Sequence, residues 1–85
     1  MSTLDFRGEE CPGPLVKTLR ALAKIGKGEK IVVLTTSQQC VELLKQVEEF
    51  LEIAKMEVHR KESFYEIIIE KTRDGVEENN LHIVV

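Results

Sequence analysis

Two apolar runs rich in β-branched residues constrain the fold of this chain more than any other feature of its sequence. They occupy residues 31–34 and 67–69. A continuous run of this kind is typical of a strand that several neighbours cover, because a strand with one solvated face alternates apolar and polar residues instead. We therefore predict that both runs form central strands of one sheet.

Two further strands are predicted beside these runs. Residues 3–7 alternate apolar and polar side chains, as a strand with one buried face does. Residues 56–60 form a second pattern of this type, and a short polar turn near Glu62 and Ser63 joins them to a strand at 64–71. The sheet is therefore expected to have four strands.

The first helix is predicted after Cys11. Pro12 is tolerated in its opening turn, because the N–H group that proline lacks has no acceptor within a helix at that position. The apolar stripe of this helix consists of Leu15, Leu19 and Leu22. The helix is expected to end at Gly26.

The second helix is predicted to open with a capping box, in which Thr36 is the N-cap and Gln39 lies three residues later. Its inner face follows helical spacing through Cys40, Leu44, Val47, Leu51 and Ala54.

The predicted order is therefore strand, helix, strand, helix, strand, strand. A right-handed crossover makes the first two strands parallel and places both helices on one face of the sheet. We predict an α/β (α+β) fold: a two-layer βαβαββ sandwich with a mixed four-stranded sheet. Its 85 residues suffice for a single domain, which we assign to residues 1–71. Residues 72–85 are a polar tail, whose apolar end either adds an edge strand or has no fixed structure.

Composition and charge exclude several classes of function. No apolar run approaches the roughly 20 residues that a membrane span needs, so no membrane association is expected. A secretory signal has a basic start followed by an apolar stretch, and this sequence does not begin with that pattern. We therefore expect a cytoplasmic protein. The net charge of −3 argues against direct binding to nucleic acid, which needs a basic surface.

Cys11 is the candidate catalytic residue. It lies at the carboxyl end of the first strand, where open α/β sheets usually bind ligands, and just before a helix. The unpaired N–H groups and the dipole of a helix N-terminus favour an anion, so they lower the pKa of a thiol and stabilise a persulfide. The carboxylates of Glu9 and Glu10 act in the opposite direction. The alternative, a small buried apolar residue, fits less well because Cys11 lies outside the apolar stripe.

The prolines of the motif restrict its backbone. Pro12 holds Cys11 in an extended conformation, and Pro14 restricts Gly13 in the same way. The motif is therefore expected to project the thiol from a rigid backbone. Because two prolines also remove N–H donors from any oxyanion hole, the motif favours sulfur chemistry over acyl transfer.

Cys40 has two interpretations. Both helix N-termini emerge at one sheet edge, which would make Cys40 a second thiol that forms a disulfide with Cys11 or relays its sulfur. The sequence favours the other interpretation, a buried and inert member of the apolar stripe. A structural disulfide is not expected in a reducing compartment. No pair among Cys11, Cys40, His59 and His82 has zinc-ligand spacing, so neither a metal nor another cofactor is expected.

Two adjacent segments of the sequence carry a family resemblance. They are Leu4-Asp5-Phe6-Arg7-Gly8 and, after two residues, Cys11-Pro12-Gly13-Pro14-Leu15. Together they resemble the signature of the TusA/SirA-like sulfur-carrier family, whose hallmark is a Cys-Pro-x-Pro motif near the N-terminus and whose element order is βαβαββ. The site-shaping residues implied by the resemblance are Pro12, Gly13, Pro14, Asp5, Arg7 and Gly8. The task expected of Asp5 and Arg7 is to hold the Cys11 loop in place.

The resemblance implies a sulfurtransferase that accepts sulfur as a persulfide on Cys11. The donor would be a cysteine desulfurase or a rhodanese-like protein, and a downstream acceptor protein would take the sulfur for transfer-RNA thiolation or related sulfur trafficking. The candidate docking surface is basic and consists of Lys17, Arg20, Lys24 and Lys27. A solvated helix face would give the same charge pattern.

Two other functions remain open at this stage. The first is a redox-sensitive regulatory or adaptor protein without turnover, in which oxidation of Cys11 switches a protein contact. The second is an RNA-binding module that stacks bases on Phe64 and Tyr65. Acidic residues flank both aromatics in the sequence, which makes the RNA-binding module the weaker alternative.

Overall fold

Two helices and four strands follow one another in the predicted order. In the computed structural model, which describes residues 2–73, they are β1 (Ser2–Phe6), α1 (Gly13–Lys24), β2 (Lys30–Thr35), α2 (Gln38–Leu51), β3 (Ala54–Arg60) and β4 (Tyr65–Lys71). The sheet order is β1-β2-β4-β3, with β1 and β2 parallel and the other neighbours antiparallel. The predicted mixed four-stranded βαβαββ sandwich is confirmed, and both apolar runs lie in central strands. Of the tail, only Thr72 and Arg73 are described, so its apolar end, with the two alternatives of an edge strand or no fixed structure, lies outside the described residues.

The core lies between the sheet and the two helices. Alternate side chains of the central strands are fully buried and belong to one cluster with Leu22 of α1 and Leu44 of α2. Those of the central strands are Ile31, Val33, Ile67 and Ile69. Each buried aliphatic side chain of this size contributes about 1.5–3 kcal/mol to folding. This cluster therefore fixes which face of β2 and β4 meets the helices, and with it the direction in which each helix begins.

The start of each helix differs from the prediction by one or two residues. Helix α1 begins at Gly13, and its N-cap is Pro12, whose carbonyl oxygen accepts a hydrogen bond from the Val16 amide at 3.1 Å. The N-cap of α2 is Ser37, whose hydroxyl accepts from the Cys40 amide at 3.2 Å. The predicted capping box at Thr36 is therefore wrong. The Thr36 hydroxyl instead accepts a hydrogen bond from the Gly8 amide, in the functional site described below.

The end of α2 also differs from the prediction. Glu52 adopts the left-handed conformation, with φ of 54°, and its amide donates to the Glu48 carbonyl at 3.1 Å. This geometry ends the helix at Leu51, so that Ala54 lies in β3 and not on the inner face of α2. Glycine is the usual residue at such a cap, and its absence left no signal in the sequence.

Lys71 connects the end of β4 to the loop between α1 and β2. Although charged, its side chain is only 3% exposed, and its Nζ donates to the carbonyl oxygen of Ile25 at 2.7 Å. Its backbone also accepts from the Gly28 amide and donates to the Glu29 carbonyl. These three bonds hold the loop opposite the functional site against the sheet.

Candidate functional site

The loops that follow β1 and β2 lie side by side at one edge of the sheet. The strands are parallel, with Phe6 paired to Thr35, so both chains leave the sheet at the same end. The amide of Gly8, in the first loop, donates to the hydroxyl oxygen of Thr36, in the second, at 2.9 Å. This bond fixes the two loops relative to each other.

Gly8 occupies a turn that favours glycine. The Glu9 amide donates to the Phe6 carbonyl at 3.0 Å, and Gly8, the third residue of this turn, has a φ of 86°. A residue with a side chain rarely adopts this conformation. Gly8 therefore sets the direction in which the chain approaches Cys11.

The two cysteines meet where these loops lead into the helices. Cys11 directly precedes the N-cap of α1, across a cis peptide bond to Pro12, and is half-buried. Cys40 is the third residue of α2 and is 0% exposed. Their Cα atoms are 5.5 Å apart, and their sulfur atoms are joined in a disulfide. Cys40 is thus buried, as the stripe interpretation requires, and also in contact with Cys11, as the second-thiol interpretation requires.

The two prolines and the glycine of the motif differ in their surroundings. Pro14 is buried in the first turn of α1, whereas Pro12 is exposed. Gly13 has no positive φ, and a methyl group added there would meet open space. Packing therefore constrains Pro14 far more than Gly13.

Asp5 and Arg7 form a bidentate ion pair at the end of β1. The Arg7 guanidinium donates to both Asp5 carboxylate oxygens, at 2.8 and 2.9 Å, and the Arg7 amide donates to the same carboxylate at 3.1 Å. The side-chain hydrogen bond from Arg7, aided by the bond from its amide, lowers the pKa of Asp5. The same side-chain bond and the negative charge of Asp5 raise the pKa of Arg7. Arg7 also lies over the ring of Phe64, 5.2 Å from its centroid, in a cation–π contact. The pair therefore links the Cys11 loop to the turn between β3 and β4.

The four residues of the predicted basic surface are all exposed. Lys17 is the member closest in the chain to Cys11, and its Nζ contacts the Glu9 carboxylate at 3.2 Å and lies 5.7 Å from the centroid of the Phe6 ring. Glu9 therefore has a basic partner, which offsets its repulsion of an anion on Cys11. Arg20 and Lys24 continue along α1, and Lys27 lies in the loop after it.

Sequence reasoning missed Thr36 as a site residue. Its signal was present, because Thr36 follows directly after a buried strand, but the N-cap pattern suggested a different role. Thr36 also lines a cleft of about 190 Å³ beside the turn between β3 and β4. Arg60, Lys61 and Glu62 lie in the same lining, and Lys61 also pairs with Glu66 at 3.9 Å, so this side of the site carries charges of both signs.

The described part of the chain has neither a cluster of metal-ligating side chains nor a helix that could cross a membrane. Within residues 2–73, no three His, Cys, Asp or Glu side chains are grouped closely enough to hold a metal ion. Neither α1 nor α2 is long and apolar enough to cross a membrane.

Comparison with known proteins gives a consistent result. Residues 2–71 match the model of a family described as sulfurtransferase TusA. A protein of Archaeoglobus fulgidus described as "Putative sulfur carrier protein" is 29% identical over 76 residues, which cover 86% of this chain and 100% of that protein. A protein of Methanocaldococcus jannaschii with the same description is 31% identical over 71 residues. These residues cover 84% of this chain and 95% of that protein.

A solved structure is also similar to this chain. The crystal structure of a SirA-like protein from Desulfitobacterium hafniense superimposes with a TM-score of 0.77 at 27% identity. The similarity covers 86% of this chain and 100% of that one.

Proposed function

The chain belongs to the TusA sulfurtransferase family, as its sequence motif suggested, and on this basis we propose that it carries sulfur as a persulfide on Cys11. The observation that carries the proposal is the position of Cys11, half-exposed and directly before the N-cap of α1. A sulfur partner can reach it there, and the helix N-terminus favours the thiolate and the persulfide anion.

The proposed cycle consists of two substitutions at sulfur. The Cys11 thiolate attacks the outer sulfur of a donor persulfide, and the donor cysteine leaves as a thiolate. A thiolate of the acceptor protein then attacks the outer sulfur on Cys11, which leaves as a thiolate in turn. Each step exchanges one sulfur–sulfur bond for another, so the cycle needs no external oxidant. It starts from the reduced protein, since a disulfide with Cys40 occupies the nucleophile.

The partners we propose are proteins. A cysteine desulfurase or a rhodanese-like protein supplies the sulfur, and a relay protein in transfer-RNA thiolation or related sulfur trafficking accepts it. The basic surface (Lys17, Arg20 and Lys24 on α1, and Lys27 in the loop after it) supports docking of an acidic partner, because it is exposed and lies on the helix that directly follows the Cys11 motif.

The experiment that tests the proposal is intact-protein mass spectrometry after incubation of the reduced protein with cysteine and a cysteine desulfurase. We expect the wild type to gain about 32 Da, one sulfur atom, and to lose it on treatment with a reductant. Cys11→Ser should show no gain. A gain that survives this substitution would assign the sulfur to another residue, and no gain in the wild type with several donors would contradict the proposal.

The contact between Cys11 and Cys40 supports a second candidate, a redox-sensitive adaptor. In that function the disulfide would alter a protein contact, and no sulfur would be transferred. The adaptor predicts that partner binding differs between the oxidised and reduced protein while the mass after desulfurase treatment stays unchanged. The carrier predicts the sulfur gain and its loss to an acceptor.

A further inference from the structure

Cys11 and Cys40 differ in access to solvent although their sulfur atoms are in contact. Cys11 is half-buried, whereas Cys40 is 0% exposed. A protein partner can therefore reach Cys11 but not Cys40. Within the described residues 2–73, the group that Cys40 can react with is Cys11, at a Cα–Cα distance of 5.5 Å.

Resting on the proposed persulfide on Cys11, we propose that Cys40 is a second catalytic residue, which resolves this persulfide and releases its outer sulfur as sulfide. The outer sulfur on Cys11 would then leave the protein by one of two reactions. A docked acceptor takes sulfane sulfur directly from Cys11, and without an acceptor Cys40 discharges the carrier.

The step balances within the protein. The Cys40 sulfur attacks the inner sulfur of the persulfide, the Cys11 Sγ, and forms the Cys11–Cys40 disulfide. The bond between the Cys11 Sγ and the outer sulfur breaks, and its electron pair leaves with the outer sulfur. The proton of the Cys40 thiol passes to that sulfur, so the persulfide anion and one thiol yield one disulfide and one HS⁻. The outer sulfur is reduced, and the Cys40 sulfur is oxidised.

The structure favours the inner sulfur as the point of attack. Cys40 is in contact with the Cys11 Sγ itself, whereas the outer sulfur of a persulfide lies one bond farther away. Substitution at sulfur is in line, so the leaving group departs on the side away from Cys40. Because Cys40 is the buried partner, that side is the solvent side. Attack on the outer sulfur would instead leave the cargo on Cys40, where no partner can reach it.

The local structure of α2 supports Cys40 as the nucleophile. It lies in the first turn of the helix, and its amide is bonded to the Ser37 hydroxyl, which fixes the residue at this N-terminus. The positive end of the helix dipole stabilises a thiolate there. The bond from Gly8 to Thr36 holds the two loops together, so the attack needs no movement of one helix relative to the other.

The carrier is reset by a thiol reductant. A dithiol protein of the thioredoxin class, or two equivalents of a small thiol, reduces the disulfide and restores both cysteines.

Reversal of the resolving step is also expected. Sulfide added to the oxidised protein attacks the accessible Cys11 sulfur, displaces Cys40 and places a persulfide on Cys11.

The test follows the persulfide on Cys11 in the wild type and in Cys40→Ala, both reduced and then loaded with inorganic polysulfide. After removal of polysulfide, we expect the wild type to fall from about 32 Da above the reduced mass to about 2 Da below it, with one sulfide released per chain. Cys40→Ala should keep its added sulfur at least tenfold longer, by the usual advantage of an intramolecular attack. Cys40→Val is a second variant that keeps the site apolar and filled, and it should behave like Cys40→Ala.

Two outcomes would overturn the proposal. One is equal persulfide lifetimes in the wild type and both Cys40 variants; the other is appearance of the added sulfur on the peptide that contains Cys40. Loading with polysulfide makes the result independent of any donor protein. A failure of desulfurase to load Cys11 would therefore count against the proposed function, and a failure of sulfide release would count against the role of Cys40.

Discussion

The amide of Gly8 and the hydroxyl of Thr36 are joined by a hydrogen bond of 2.9 Å, across 28 residues of sequence. Gly8 precedes Cys11 by three residues, and Thr36 precedes Cys40 by four. The bond therefore ties together the two loops that lead to the cysteines. The amide of Gly8 bonds Thr36 and its positive φ sets the direction of the chain toward Cys11, which gives this glycine a role in the site although it carries no side chain.

Substitution of Gly8 by alanine is expected to lower the free energy of unfolding by roughly 1–2 kcal/mol, because a side chain is strained at a φ of 86°. Gly13→Ala is the matched control. Gly13, the first residue of α1, has no positive φ and has open space around it, so its substitution should change stability by about 0.5 kcal/mol or less. Urea denaturation of the reduced proteins measures both effects. Equal losses in the two variants would show that the conformation of Gly8 is not the cause.

The pair of Asp5 and Arg7 predicts a pH dependence. Arg7 lowers the pKa of Asp5 in the folded protein below its ordinary value of 3.8. The stabilisation from this pair is therefore complete above that value and is lost as the pH falls through the lowered folded pKa. The loss is expected to be small, since both side chains are about half exposed. Carboxyl NMR titration should show Asp5 below its ordinary pKa in the wild type and closer to it in Arg7→Gln. An Asp5 pKa that this substitution leaves unchanged would contradict the assigned cause.

The sheet could be predicted from the sequence because its two central strands have continuous apolar runs. Burial of Ile31, Val33, Ile67 and Ile69 decides the register of the strands, and this pattern is visible without a structure. The helix ends could not be predicted as well. Ser37 and Thr36 are both good N-caps, and only the competing bond to Gly8 decides between them.

The candidate site could be predicted only in part for a similar reason. The motif around Cys11 is local in sequence and therefore visible. Its contact with Cys40 joins residues 29 positions apart, and it depends on how far into α2 the second cysteine lies. With Ser37 as its N-cap, α2 begins at Gln38 and places Cys40 in its first turn, close to the Cys11 loop. Helical spacing alone assigned the same residue to the apolar stripe, and both properties coexist at this position.

Lys71→Met is expected to lower the free energy of unfolding by about 1–3 kcal/mol. Methionine keeps the length of the side chain but removes the donor to the Ile25 carbonyl, a bond from a charged group. Lys55→Met, on an exposed position of β3, is the control and should change stability by about 0.5 kcal/mol or less. Increased stability of Lys71→Met would mean that burial of the ammonium group destabilises the fold more than its hydrogen bond stabilises it.

Charge reversal on the basic surface is expected to weaken donor docking. Arg20→Glu with Lys24→Glu should lower the association rate with a cysteine desulfurase roughly tenfold at low salt, because the steering field is reversed. Alkylation of reduced Cys11 should be unchanged. The control is Lys30→Glu with Lys55→Glu, which makes the same change in net charge at strand positions paired with Glu70. Equal effects of the two double variants would show that the change in net charge alone slows association, and this would contradict a docking surface on α1.

Glu52→Gly is expected to raise the free energy of unfolding by roughly 0.5–1 kcal/mol. Glu52 holds a left-handed conformation at the end of α2, which glycine adopts without the steric cost of a Cβ atom. The gain is limited because glycine also loses more backbone freedom on folding. Glu49→Gly, at an exposed position inside α2, has the entropic cost without the steric gain and should lower stability by about 1 kcal/mol. Urea denaturation of both variants should thus give changes of opposite sign, and a loss in both would show that Glu52 is not strained at the helix end.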